Sequence, residues 1–271
     1  MTGYRPAAIM PQFYDQLNRV VNIPHQPKRI ISIVPSQTEL LFYLELDEQV
    51  TGVTNFCIHP TTGVANKAKI GGTKQLNMNA IHQLNPDLII ANKEENEQRQ
   101  VEELMQHYPV WISDINDLPT ALDMITKVGD ITSTKEKADK LVTQISAEFE
   151  LLKPAEPKLN VAYLIWRKPY MAAGSDTFIN SMLQLCGLKN AVTANRYPQV
   201  TLQQLADAHL DVLLLSSEPY PFAQKHVDEL QSLLPQTKII LVDGELFSWY
   251  GSRLLQAPAY FNALISKLKA M

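Results

Sequence analysis

The chain has 271 residues, 45% of them hydrophobic and 19% charged, with a formal net charge of −4. That is material for one large or two small domains with a sizeable core, and it disfavours nucleic-acid binding, which takes a basic face to meet phosphates. No apolar run reaches bilayer length, and Cys57 and Cys186 form no C-x-x-C pattern.

The stretch before Arg29 lacks the continuous apolar core of a secretory signal and an early cysteine for a lipid anchor. A cytoplasmic protein is therefore expected, or a periplasmic one whose signal was removed ahead of this numbering. Met10 offers an alternative start, with the first nine residues as an extension. Arg29–Val34, RIISIV, reads as a short strand that Pro35-Ser36 breaks, with Gln37–Leu46 as the helix after it. A strand near Gln49–Val53 runs into the loop Thr54–Pro60. Asn79–Leu84 is expected to be a short helix, and Pro86-Asp87 introduces the strand Leu88–Ala91. That strand ends in the polar loop Asn92–Glu97, followed by helix Gln98–His107, strand Val110–Ile112 and helix Leu118–Val128.

Ser133–Lys153 reads as a single long helix. Ser133 and Glu136 fit a capping box. Ala138, Leu141, Val142, Ile145, Phe149 and Leu152 recur at spacings of three and four, and Pro154 and Pro157 stop the helix because proline lacks the N–H it needs. Such a rod is roughly 30 Å long. The pattern then restarts: strand Leu159–Ile165, helix Thr177–Cys186 with Asp176 as its N-cap, helix Leu202–Ala208, strand Asp211–Leu215, the polar loop Ser216–Tyr220, helix Val227–Leu234, strand Lys238–Val242, the loop Asp243–Arg253 and a last helix from about Pro258 to Lys269.

Asn85–Ala91, NPDLIIA, matches His209–Leu215, HLDVLLL, so the halves correspond. Strands alternating with helices give parallel sheets with helices on both faces. The expected fold is α/β, with two lobes of parallel sheet flanked by helices, bridged by one long α-helix: an N-terminal lobe over 1–130, the bridge over 131–154 and a C-terminal lobe over 155–271. Ligands in such sheets bind beyond the carboxyl ends of the strands, which points to a cleft flanked by the loops of both lobes.

RIISIVPSQTELLFYL at Arg29–Leu44, LNPDLIIA at Leu84–Ala91 with Gln98-Arg99-Gln100-Val101 after it, and Tyr197-Pro198-Gln199-Val200 resemble, in this order, the class III substrate-binding proteins of ABC importers. These are also called helical-backbone metal receptors, and the likeness is strongest to their cobalamin-binding members. The resemblance implies a non-enzymatic, monomeric protein, with cobalamin or another corrinoid as ligand and haem or a ferric siderophore as the alternative. In that family a glutamate at the tip of each lobe docks to permease arginines. The aligned positions here are Asn79 and Gln203, both uncharged, which argues against a standard importer component.

A flat macrocycle needs broad apolar walls, which aromatic rings supply. Phe56, Trp166, Tyr170, Tyr197, Phe247, Trp249 and Tyr250 fall in loops after strands and are the candidate walls, each with lobe packing as its plain alternative. Arg167 and Arg253 suit phosphate, amide or carboxylate groups of such a ligand, or else surface ion pairs. Glu94 and Glu95 read as helix-start carboxylates, whereas Glu218 is expected at the cleft. His59 is a candidate axial or hydrogen-bonding contact to cobalt or iron, with Cys57 beside it, although two such residues make no zinc motif. There is no glycine-rich phosphate loop, H-E-x-x-H helix or G-x-S-x-G elbow, so no catalytic residue is expected. The rival classes are an enzyme processing a corrinoid or metal chelate, and a protein-interaction module.

Overall fold

A computed structural model describes residues 12–270; Met10 and the first nine residues lie outside the described residues. The chain forms two compact units, one of Met1–Asp114 and Leu122–Val142, the other of Ile115–Ala121 and Thr143–Met271.

The first unit opens with an antiparallel hairpin, β1 (Gln12–Tyr14) and β2 (Val20–Asn22). Asp15 is fully buried in its turn and accepts the N–H groups of Leu17 and Arg19 at 2.9 Å each. Strands of three residues are too short to announce themselves by alternation, and the hairpin is absent from the sequence reading. There follow β3 (Ile30–Ser32), α1 (Pro35–Tyr43), β4 (Val50–Val53), α2 (Thr61–Val64), β5 (Ala68–Lys69), α3 (Met78–Leu84), β6 (Leu88–Asn92), α4 (Gln98–Met105) and β7 (Val110–Ser113). The sheet order is β5-β4-β3-β6-β7, and every pair is parallel. β3, β6 and β7 are buried at every position, as a sheet covered on both faces requires. Pro35 begins α1 instead of breaking the chain ahead of it. At the first helical position its missing N–H has no helical partner to lose, and its fixed φ already suits the helix.

The expected rod is shorter than the sequence suggested. α5 (Leu118–Thr132) and α6 (Lys135–Glu150) meet at Ser133, which is left-handed at φ 60°. The Thr134 N–H donates to Gly129 O at 2.8 Å, and α6 starts after Thr134, whose carbonyl accepts from Lys137 and Ala138. Ser133 is therefore a turn residue between two helices and not a cap. The apolar stripe holds, with Ala138, Leu141 and Ile145 fully buried. A Cβ on Gly129 would stand 2.3 Å from that of Ala138, so the glycine is what lets α5 close on α6. The boundary between units falls inside α6, after Val142.

The second unit contains β8 (Leu159–Trp166), β9 (Met171–Ala172), α7 (Phe178–Leu185), β10 (Leu188–Asn190), α8 (Leu202–Asp207), β11 (Val212–Ser216), α9 (Gln224–Leu233), β12 (Lys238–Val242), α10 (Gly244–Ser248), a 3-10 turn at Ser252–Leu255, and α11 (Ala257–Ala270). Its sheet runs β10-β8-β11-β12, all parallel, with β9 antiparallel to β8. The cap of α7 is Thr177, whose Oγ1 accepts from the Asn180 N–H at 3.1 Å; Asp176 is left-handed and precedes it. The segment 243–253 is not a plain loop, since it holds α10 and the 3-10 turn. Cys57 and Cys186 are both free and buried, and burial pushes the Cys186 thiol up to about 12.

The internal correspondence is present in detail. Asn85 and His209 are both left-handed, at φ 45° and 46°. Two residues on, the Asp87 carboxylate accepts from the Arg29 N–H at 2.8 Å, and the Asp211 carboxylate accepts from the Asn160 N–H at 2.7 Å. Each aspartate N–H returns the bond, to Arg29 O and Asn160 O. One helix-to-strand junction is thus built once in each unit, tying β6 to the segment that opens β3 and β11 to β8.

Candidate functional site

In the first unit the loops beyond the strand carboxyl ends rest on a buried amide network. Asn92, at the end of β6, accepts the N–H groups of Glu94 and Glu95 at 2.8 and 2.9 Å. Asn96 Oδ1 accepts the Asn92 N–H at 2.8 Å, and its Nδ2 donates to Ile33 O and Thr73 O at 3.0 and 3.2 Å. Ser113, closing β7, accepts from Asn92 Nδ2 and Gln37 Nε2. Four separate loops are held by two asparagines. The Asx-type turn displaces Glu94 and Glu95 from the role of helix caps, which Glu97 takes for α4 through the Gln100 N–H.

Above this floor Phe56 is 60% exposed, against Gly72, where a Cβ would meet its ring at 3.2 Å. Its neighbour Cys57 points inward, with Sγ 3.1 Å from the hydroxyls of Thr38 and Thr54, and burial pushes its thiol pKa up. Cys57 is therefore a core residue. His59 is half-buried just before α2. At the start of α1, Ser36 Oγ and Gln37 Oε1 are buried without a hydrogen-bond partner among the described residues.

The second unit gathers its polar groups after β11 and β12. Glu218 Oε1 accepts from Trp249 Nε1 and from Ser248 Oγ, each at 2.8 Å. The Arg253 guanidinium lies 4.9 Å over the Trp249 ring and pairs with Glu245 at 2.8 Å. Glu245 is in turn fixed at the start of α10, where Asp243 accepts its N–H at 3.0 Å. Gly244 permits this packing, because a Cβ there would stand 2.4 Å from Ser216 Oγ and 2.7 Å from Glu218 Cγ. Of the expected site residues, Glu218, Trp249 and Arg253 are thus assembled into one cluster.

Burial holds the Glu218 carboxyl above the usual glutamate pKa, helped by the charges of Glu245 and Asp243 and opposed by its two hydrogen bonds. A group that binds its proton more tightly folded than unfolded makes stability fall as pH rises through the interval between the two pKa values. Glu218→Gln should flatten that decline: urea unfolding midpoints across mildly acidic to neutral pH would converge with the parent at the acid end and separate toward neutrality. Parallel curves would remove Glu218 as the cause.

Trp166 ends β8 and is 40% exposed, with Tyr220 edge-on at 5.7 Å. Tyr220 packs on Phe222 at 4.8 Å and contacts His226 through its hydroxyl at 3.3 Å. Arg167 pairs with Glu229 on α9, one nitrogen reaching both carboxylate oxygens at 2.7 and 2.6 Å, which is the ion pair that stood as the alternative to a ligand contact. The pair raises the arginine pKa and lowers that of Glu229. Tyr170 is half-buried against the core on one side of the sheet, Tyr197 is half-buried before α8, and Tyr250 is 5% exposed, edge-on to Phe178. Phe247 is a correction: it has no exposed surface and sits among Tyr163, Tyr260 and Phe261, because the turn of α10 aims it into the core. Tyr220 and Ser248 escaped the sequence reading. Tyr220 was legible as one more aromatic in a loop after a strand, but nothing local marks Ser248.

Among the described residues no helix is long and apolar enough to cross a membrane, and no group of three His, Cys, Asp or Glu is placed to hold a metal ion. A family model described as "Periplasmic binding protein" matches residues 30–233. A vitamin B12-binding protein of Pectobacterium carotovorum subsp. carotovorum (strain PC1) is 25% identical over 257 residues, covering 90% of this chain and 90% of its own. An uncharacterized ABC transporter substrate-binding lipoprotein of Bacillus subtilis (strain 168) is 24% identical, covering 89% of this chain and 81% of its own. Among solved structures, the periplasmic heme-binding protein of Roseiflexus sp. RS-1 in apo form superposes with a TM-score of 0.78 at 22% identity, over 90% of this chain and 98% of that one. The lipoprotein and periplasmic descriptions of these relatives lend no support to the cytoplasmic expectation.

Proposed function

Because the chain belongs to the periplasmic binding protein family, we propose that it is a non-enzymatic, monomeric substrate-binding protein for a large metal chelate, with cobalamin or another corrinoid as ligand. The observation that carries this reading is an exposed aromatic ring at a strand carboxyl end in each unit: Trp166 at the end of β8, with the half-buried Tyr220 of the loop after β11 edge-on to it, and Phe56 after β4. Broad rings offer contact area to a flat macrocycle at little cost in side-chain entropy. Trp249 is itself buried, at 6% exposure, and serves to hold Arg253, whose guanidinium stacks on it, pairs with Glu245 and is of a type suited to the polar arms of a corrinoid. Vitamin B12-binding relatives support the corrinoid, and the heme-binding structural neighbour keeps haem as the second ligand.

The lipoprotein description of one relative and the periplasmic description of another support a protein that works outside the cytoplasm with an ABC permease. A permease would meet Asn79, exposed in the first turn of α3, and Gln203, exposed in the first turn of α8, whose amide already donates to Asp207 at 2.8 Å. Those contacts would be neutral hydrogen bonds, each weaker than the charged bond a glutamate would make.

The deciding experiment is a thermal-shift and absorbance titration with cobalamin, cobinamide, haem and a ferric siderophore. A ligand that binds the folded state alone raises its melting temperature in proportion to the logarithm of its concentration above Kd. A melting-temperature rise that grows with the logarithm of concentration, together with a saturable absorbance change, is expected with the corrinoids alone. A rise with haem or the siderophore instead replaces the ligand and keeps the family, and no rise with any of them ends the chelate reading.

A further inference from the structure

We propose that His82 and His107 form a surface site for a divalent transition metal of the zinc class, on the edge of the first unit opposite the loops described above. His82 lies in the last turn of α3 and His107 just beyond α4. Both helices end where strands β6 and β7 begin, so the pair belongs to the amino edge of the sheet and is independent of the chelate reading. Both side chains are exposed.

The geometry suits a two-legged chelate. The imidazole centroids are 5.4 Å apart with their planes at 85°. Metal–nitrogen bonds of about 2.0–2.1 Å at a tetrahedral angle place two imidazole centroids roughly 5 Å apart, so the rings reach one ion with a small adjustment of exposed side chains. His82 Nδ1 lies 2.8 Å from the Tyr108 hydroxyl. That bond leaves Nε2 as the nitrogen available to a metal and orients the ring, which is how outer partners set up histidine ligands. The carboxyl ends of α3 and α4 add negative partial charge nearby, which favours a cation. Imidazole nitrogen selects zinc, nickel or copper over calcium or magnesium. With two protein ligands, water completes the coordination.

The test is a zinc titration of the full chain against a chromophoric competing chelator. The parent is expected to bind one zinc per chain, and His82→Asn and His107→Asn are each expected to weaken it about tenfold or more. His25→Asn, at an exposed histidine elsewhere, is expected to leave it unchanged. Without zinc all three variants should melt with the parent, since the substituted rings are exposed. A parent that binds no zinc, or His82 and His107 variants that bind it as the parent does, overturns the site.

Discussion

Trp166→Ala is expected to weaken binding of the cognate chelate by about 10- to 100-fold, on the order of 1.4–2.8 kcal/mol, while shifting the urea midpoint little. The indole ends β8 with 40% of its surface still open, so its removal leaves no deep cavity. What it loses is the edge-on contact to Tyr220 and whatever the open face meets. Large aromatic anchors are the residue type whose truncation most often costs binding at this scale. Isothermal titration with the ligand identified above, beside urea unfolding, separates the two effects. Binding unchanged by the substitution would take Trp166 out of the site and with it the observation on which the chelate reading rests.

The largest expected effect on stability belongs to Asn96→Ala. The side chain is 5% exposed and meets three backbone groups: the Asn92 N–H, Ile33 O and Thr73 O. Alanine leaves all three without that partner in a place that water reaches poorly. A buried polar group left unsatisfied costs about 1–3 kcal/mol, so a loss of roughly 3–5 kcal/mol is expected even with some relaxation. Urea unfolding gives the value directly. A loss below about 1 kcal/mol would mean that water replaces the amide and that the loops are not held by it.

The strands were legible because parallel sheets bury both faces and leave short unbroken apolar runs such as LIIA and VLLL. Their order along the chain gave the α/β class and the correspondence of halves. What failed was local and has physical reasons. Ser133 has the residue type of a cap, but the carbonyls of Gly129 and Asp130 draw the chain into a left-handed turn one residue earlier. Pro35 read as a break because proline usually ends helices, whereas here it starts one. Phe247 and Trp249 both sit at 243–253 and look alike in the sequence. The short helix α10 separates them, sending one ring into the core and giving the other a carboxylate partner. Arg167 could not be assigned because its partner, Glu229, lies 62 residues away.

The first unit is discontinuous in the chain, and that bears on how the protein is made. All five strands of its sheet have left the ribosome once residue 113 is out, yet the unit also needs Leu122–Val142. Gln16 waits for Asp123, Glu45 for Lys137, and α5 for the Ala138 face of α6. A nascent chain therefore holds a complete sheet with part of its cover missing for the time it takes to add the next thirty or so residues, a few seconds at ordinary rates of synthesis. That interval is when a holding chaperone, or a pause in translation, has the most to protect.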